Sequence, residues 1–391
     1  MTDLACDPGA DLPQLRERLR PLREIFLANL ILTSEIPAPT FGEEARARFV
    51  LQRFSEAGLP GGSLDEAGNA AVELPGANPD RRILVVAHTD TLHTAAEDHA
   101  VAVQPDRLVG PGIGDNAAGV AAMMTLPRLL ATLGIRLDAT LVLLGAGRSL
   151  GPGDLGGLKF FLDHAKHPFA AGLCLEGLEL GRLNFASLGL LRGEIVCRVP
   201  RDYDWARFGP VNAIVILADA LARIQGIPLP ARPRTDMVFG QVSGGTGYGR
   251  AARTARLRLD VRSESAATLA EVEGRIGAIA EELAHGTRTE IAFVPVARRQ
   301  PGALPFDHPF VREARAILAG LGLEPHIEPS MSELSAFLER DIPALTIGLT
   351  RGENVGEADE TVFIEPLFDG LAQLLSLLQA LDRSGRPADD D

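Results

Sequence analysis

Three apolar runs, Ile83 to Ala87, Ala139 to Leu144 and Leu173 to Leu175, each stop at a residue or loop capable of chemistry, with helical periodicity between them. Short, nearly all-apolar runs suit strands buried on both faces. Strands that alternate with helices at this spacing imply a largely parallel, doubly wound α/β sheet. Such sheets bind ligands outside the carboxyl ends of their strands. The ends here are His88-Thr89-Asp90, the loop Gly145 to Asp154 carrying Arg148 and Ser149, and Glu176, so all three are expected in one crevice.

The 391 residues exceed what one hydrophobic core organises, and an apolar share of 46% is ample for two. A net charge of −14 leaves no basic stripe for phosphates and argues against nucleic-acid binding. The positive charge is nearly all arginine, with Lys159 and Lys166 the sole lysines. Cys6, Cys174 and Cys197 lack zinc-finger spacing and read as reduced thiols, which with the absence of a signal-like start or a membrane-length apolar run leads us to expect a cytoplasmic protein.

In chain order, Leu12 to Ser34 is helical by periodicity with a kink expected at Pro21, and Thr40-Phe-Gly-Glu43 reads as a capping box opening the next helix. From Glu194 the pattern becomes strand, helix, strand, strand, helix, strand, the order of a ferredoxin-like plait. The domains expected are a catalytic-type α/β domain over 1–192 and 301–391, with an α+β lid inserted over 193–300 between Gly193 and a Pro295 to Pro305 linker.

One neutral imidazole at a strand end (His88), a carboxylate behind it (Asp90) and a second carboxylate (Asp115) delivered by the turn Gly112-Ile113-Gly114 make half of a zinc site. Asp115 alone would also suit a helix N-cap.

These residues, with Gly110-Pro-Gly-Ile-Gly-Asp115-Asn, Glu176-Gly177, Asn212-Ala213-Ile214, Gly244-Gly245 and Asp260-Val-Arg262, resemble the zinc exopeptidase family of aminoacylases, peptidase T, carboxypeptidase G and succinyl-diaminopimelate desuccinylase. The resemblance spans nearly the whole chain. It implies a two-zinc site, hydrolysis of a small peptide or acylated amino acid, and a homodimer formed through the lid. Two elements depart from it. Arg148-Ser149 stands where the family has a Glu-Glu pair, and Gly356 of Glu353-Asn-Val-Gly-Glu-Ala-Asp-Glu360 stands where it has a metal-binding His.

A guanidinium stays protonated and cannot take the proton that the first glutamate of the pair accepts, and a second metal would keep only Asp115 as a strong ligand. A two-zinc centre is therefore not expected. We expect one zinc at most, on His88, Asp115 and Glu176, and we expect Arg148 to reach toward Asp115 in place of the second ion. Arg262 is a candidate for a substrate carboxylate, its alternative being an ordinary salt bridge. His93 and His99 read as a mobile surface loop rather than a metal cluster with His88. Three functions stay open: a family homologue that binds small peptides or acyl amino acids without two-zinc hydrolysis; a hydrolase with a reorganised one-metal site using Glu176, Glu333 or Glu357 as base; and a non-catalytic dimerising scaffold.

Overall fold

The computed structural model describes residues 12–384 and forms two compact units, one built from the chain up to Ala186 and from Ala303 onward, the other from Ser187–Gly302. Cys6 lies outside the described residues. In the first unit a seven-stranded sheet runs in the order Ser63–Leu64, Ala70–Leu74, Ala139–Ala146, Asn78–His88, Ala171–Glu176, Ala344–Gly348 and Leu183–Asn184. Its four central strands are mutually parallel and the outer ones antiparallel. The register sets Ala146 beside His88 and Gly348 beside Glu176, so the chemistry-bearing ends lie along one edge.

Alternation along these strands divides the core in two. Ile83, Val85, Leu141, Leu143, Leu173 and Leu175 pack with the helices Arg23–Glu35, Gly119–Leu133 and Pro366–Arg383. Leu84, Val86, Val142, Leu144 and Cys174 face the opposite way, against Leu158, Leu334 and Phe337. Both sets are fully buried, as near-continuous apolar strands require. Pro21 interrupts the first helical stretch as expected, leaving a 3₁₀ turn at Arg20–Leu22 between Leu12–Leu19 and Arg23–Glu35.

The capping box is not made. The helix Glu44–Glu56 has no side-chain cap, because Thr40 and Glu43 are engaged elsewhere. The Thr40 hydroxyl donates to Asp90 Oδ2 at 2.9 Å, and Glu43 Oε1 accepts the backbone N–H groups of Phe41 and Arg148 at 2.9 and 2.8 Å. A motif that reads locally as a helix start thus serves the strand-end loops instead.

The second unit is an antiparallel sheet in the order Thr235–Gly244, Thr254–Ser263, Gly189–Arg198 and Glu290–Arg299, with the helices Ala213–Gln225 and Ala266–Thr287. Leu191, Ile195, Cys197, Leu257, Leu259 and Val261 form its core with Leu217, Ala220, Val272 and Ile276. Cys174 and Cys197 are both free and buried.

The unit begins before Gly193, the residue read as its boundary. Gly193 lies inside a strand, at a register shift against the neighbouring strand, where a side chain would collide with the Phe293 ring. Pro295, read as the start of a linker, lies within Glu290–Arg299; that strand is at the sheet edge, where a residue without an N–H is tolerated.

Candidate metal centre

His88 closes its strand with the ring almost wholly buried. Nδ1 lies 3.0 Å from the Asp90 carbonyl oxygen and 3.4 Å from Asp90 Oδ1, and Nε2 lies 3.0 Å from Asp115 Oδ1. The Asp90 Oδ2 atom accepts from Thr40 and from the backbone N–H groups of Ser149 (3.0 Å) and Leu150 (2.8 Å). Asp90 therefore ties the His88 strand end to the loop after the next strand.

Asp115 is not a helix cap. Its backbone is extended, its N–H donates to Glu360, and its carboxylate turns to His88. The following Asn116 fixes Glu176 from both sides, since its amide donates to the Leu175 carbonyl (2.8 Å) and its oxygen accepts the Gly177 N–H (2.9 Å). Glu360 is buried, with Oε1 accepting the N–H groups of Gly114 (2.6 Å) and Asp115 (2.7 Å) and Oε2 that of Gly356 (2.8 Å). The fold thereby brings donor atoms of His88, Asp115 and Glu176 within 4.8 Å of one another, the single such group of metal-ligating side chains among the described residues.

Around the triad opens a cavity of about 360 Å³ lined by Ser149, Arg182, Asn184, His326 and Glu333, among others. Its electrostatics are those of carboxylates crowded out of water. Burial and the charges of Glu333 and Asp115 push Glu176 up to about 7. Burial works against charge on His88, but the carboxylates of Asp115 and Asp90 and the charge of Glu333 outweigh it and hold the imidazolium well above the usual range. Burial likewise opposes the Asp115 carboxylate, and its bond to His88 wins, drawing the carboxyl below its ordinary value.

Glu176 and His88 both bind protons more tightly folded than unfolded. The metal-free protein is thus expected to lose stability as pH rises from about 4.5 toward 7 through Glu176 and higher through His88. The slope reaches at most about 1.4 kcal/mol per pH unit for each proton. Urea unfolding of chelator-treated protein at pH 5 and pH 7.5 checks this, with stability that is flat or rises over that interval as the contrary result. Divalent metal should flatten or reverse the slope, because binding requires the deprotonated ligands.

Arg148 does not reach Asp115. It adopts a left-handed backbone (φ 55°) and its guanidinium donates outward to the Glu66 carbonyl at 3.1 Å. The guanidinium whose charge acts on Asp115 and Glu176 belongs to Arg182, which lines the cavity and bonds to Glu179 Oε2 at 2.9 and 2.7 Å. Ser149 is buried on the cavity wall, and Gly356 has a positive φ (80°), with only the Leu92 side chain at ordinary contact distance from where a β-carbon would sit. Glu357 is exposed and does not line the cavity, whereas Glu333 does.

His93 and His99 lie on a loop that is exposed over residues 94–98, but their side chains turn inward. Both rings are buried, with His93 Nδ1 2.8 Å from Glu97 and His99 Nε2 2.9 Å from the Thr94 carbonyl, so the segment is folded on its own imidazoles. They do not join the donor group at His88. Arg262, in the second unit, lies 3.7 Å from Asp260, whose carboxylate is held by Arg192.

The chain matches two family models: Peptidase family M28 over residues 69–147, which contain His88, Asp90 and Asp115, and Peptidase dimerisation domain over residues 209–288. The chain is a relative of the zinc exopeptidases. No curated protein sequence matches it. Among solved structures this exopeptidase relative is similar to the dipeptidase Dug1p of Saccharomyces cerevisiae (13% identity, 97% of this chain and 100% of that one, TM-score 0.76). It is also similar to the aminopeptidase PepT of Bacillus cereus (18%, 92% and 98%, TM-score 0.69). A third is YXEP of Bacillus subtilis, described as a dinuclear metal-binding peptidase of the M20 family (15%, 92% and 98%, TM-score 0.64).

The donors that His88, Asp115 and Glu176 bring together suit a divalent ion. An imidazole nitrogen and two carboxylates within mutual reach form a three-ligand set of the kind open zinc sites use. A second ion would share Asp115 and otherwise find a hydroxyl at Ser149 and no side chain at Gly356.

Proposed function

We propose that the chain binds one divalent metal ion, zinc by preference, on His88, Asp115 and Glu176, and uses the surrounding cavity to bind a small peptide or acylated amino acid without two-metal amide hydrolysis. The mutual proximity of the three donor sets, alone among the described residues, carries this reading. When bound, such an ion supplies a Lewis acid to a ligand oxygen. The chain's own residues orient and neutralise: Asp90 holds the His88 ring through Nδ1, Asn116 and Glu360 hold the two carboxylates in place, and Arg182 offsets their charge.

The position at which the resemblance puts the proton acceptor of two-metal hydrolysis holds Arg148 instead. A general base contributes roughly 10²- to 10⁴-fold to such reactions, and Arg148 is neither an acceptor nor directed at the site. The match to a dimerisation domain supports a homodimer formed through the second unit. Titration calorimetry of the zinc-loaded protein with a dipeptide should report one saturable site, and chromatography of the same mixture should recover the peptide intact. Cleavage at an ordinary enzymic rate, about one per second or faster, contradicts the proposal.

A further inference from the structure

Glu333 is a buried carboxylate of the cavity lining that no cation among the described residues pairs. It flanks the short helix Leu334–Leu338, whose Leu334, Ala336 and Phe337 are buried, with the Phe337 ring against Gly172 of the sheet, so its position is fixed by packing. Glu333 is 3% exposed, it lines the cavity, and its Oε1 atom is buried with no hydrogen-bond partner. A buried carboxylate oxygen without a donor is costly, by several times the net value of an ordinary hydrogen bond.

Its neighbours do not satisfy it. Arg182 is committed to Glu179 through two hydrogen bonds, and His326 Nε2 lies 3.3 Å from Glu328. Asp115 and Glu176 carry two negative charges between them, which one divalent ion balances, leaving His88 neutral as its ligand. Glu333 stands outside the group of donors that could share that ion. Glu333 therefore keeps its negative charge without a paired cation after metal binding, and of the lining carboxylates left so it is the buried one, Glu328 being exposed. Ser149, which also lines the cavity, carries a second buried polar atom without a partner, its Oγ.

We infer that Glu333 is the anchor for a ligand's free α-amino group, so that this cavity selects amino acids or peptides with an unblocked amino terminus over their N-acylated counterparts. An α-ammonium brings the one positive charge and the three N–H donors that Glu333 lacks, whereas an acylated nitrogen is neutral and its carbonyl would face the carboxylate. Ser149 Oγ lies on the same cavity wall for the ligand's remaining polar groups. The inference rests on the one-metal pocket proposed above and narrows its ligand class.

The test uses the full-length, zinc-loaded protein and two probes, alanyl-leucine and N-acetyl-alanyl-leucine, measured by titration calorimetry on the unaltered chain and on Glu333→Gln, with bound zinc counted in both. The unaltered protein should bind the free dipeptide roughly 10- to 100-fold more tightly, the range of a charge-assisted bond to a buried group. Glu333→Gln should keep its zinc and lose that preference. Equal binding of the two probes, or a preference for the acetylated one, overturns the anchor while leaving the pocket reading intact. Loss of zinc from Glu333→Gln overturns it too, by making Glu333 a metal ligand. Binding of neither probe to zinc-loaded protein removes the pocket reading, and the anchor with it. Should Glu333→Gln fail to fold, the two-probe comparison on the unaltered protein still decides.

Discussion

Asp115→Asn should abolish metal binding while leaving the fold intact. The substitution keeps the side chain's shape and exchanges a carboxylate for an amide, a poor ligand for a divalent ion. Asp115 is the centre of the donor group, 3.0 Å from His88 Nε2 and with its N–H held by Glu360. Changes in outer-shell partners alone typically cost about 10- to 100-fold in metal affinity, and loss of a direct ligand from a set of three should exceed that range. The metal-free variant should not unfold, because the Asp115 charge that helps raise Glu176 is also gone. Competition against a chromogenic chelator measures the affinity and thermal unfolding of the metal-free forms checks the fold. Zinc affinity within tenfold of the unaltered chain would remove Asp115 from the site.

Glu360→Gln should produce the largest stability loss of any conservative change near the site. Both oxygens of Glu360 are buried and together accept three backbone N–H groups, from Gly114, Asp115 and Gly356. Glutamine presents an NH₂ group to at least one of these donors, so a charge-assisted bond is lost and a buried N–H is left unpaired. The expected cost is about 2–5 kcal/mol, read from urea unfolding. Metal affinity should fall as well, by about 10- to 100-fold, because the Gly114-Asp115 turn loses its anchor. A change below about 1 kcal/mol would show that the turn is held by its glycines and packing alone.

The path from sequence to structure was clearest where period and chemistry coincide. Apolar runs that stop at His88 and Glu176 have few ways to fold, and the parallel register then sets both ends on one edge. Asp115 was legible because a glycine-rich turn precedes it. What escaped was the second layer. Thr40 and Glu43 match a capping box so well that local pattern points to the helix, while tertiary contacts claim both for Asp90 and Arg148. Arg182 carries no motif and enters the cavity solely because the short strand beginning at Leu183 joins the sheet.

Arg148 shows the opposite failure. Its place in the chain suggested a substitute cation, but a left-handed backbone aims the side chain away, and no residue pattern reports that angle. Gly193 misled as a boundary for a related reason, since glycine marks bulges as readily as linkers, whereas the second unit does end within the Pro295 to Pro305 stretch, at Gly302, although Pro295 itself is still in an edge strand.

The proposed single-metal site lies in a fold similar to that of a dinuclear metal-binding peptidase. Elemental analysis of the purified protein, saturated with zinc and then desalted, tests it directly. One zinc ion per chain is the expected result, and two ions, or none, the contrary one.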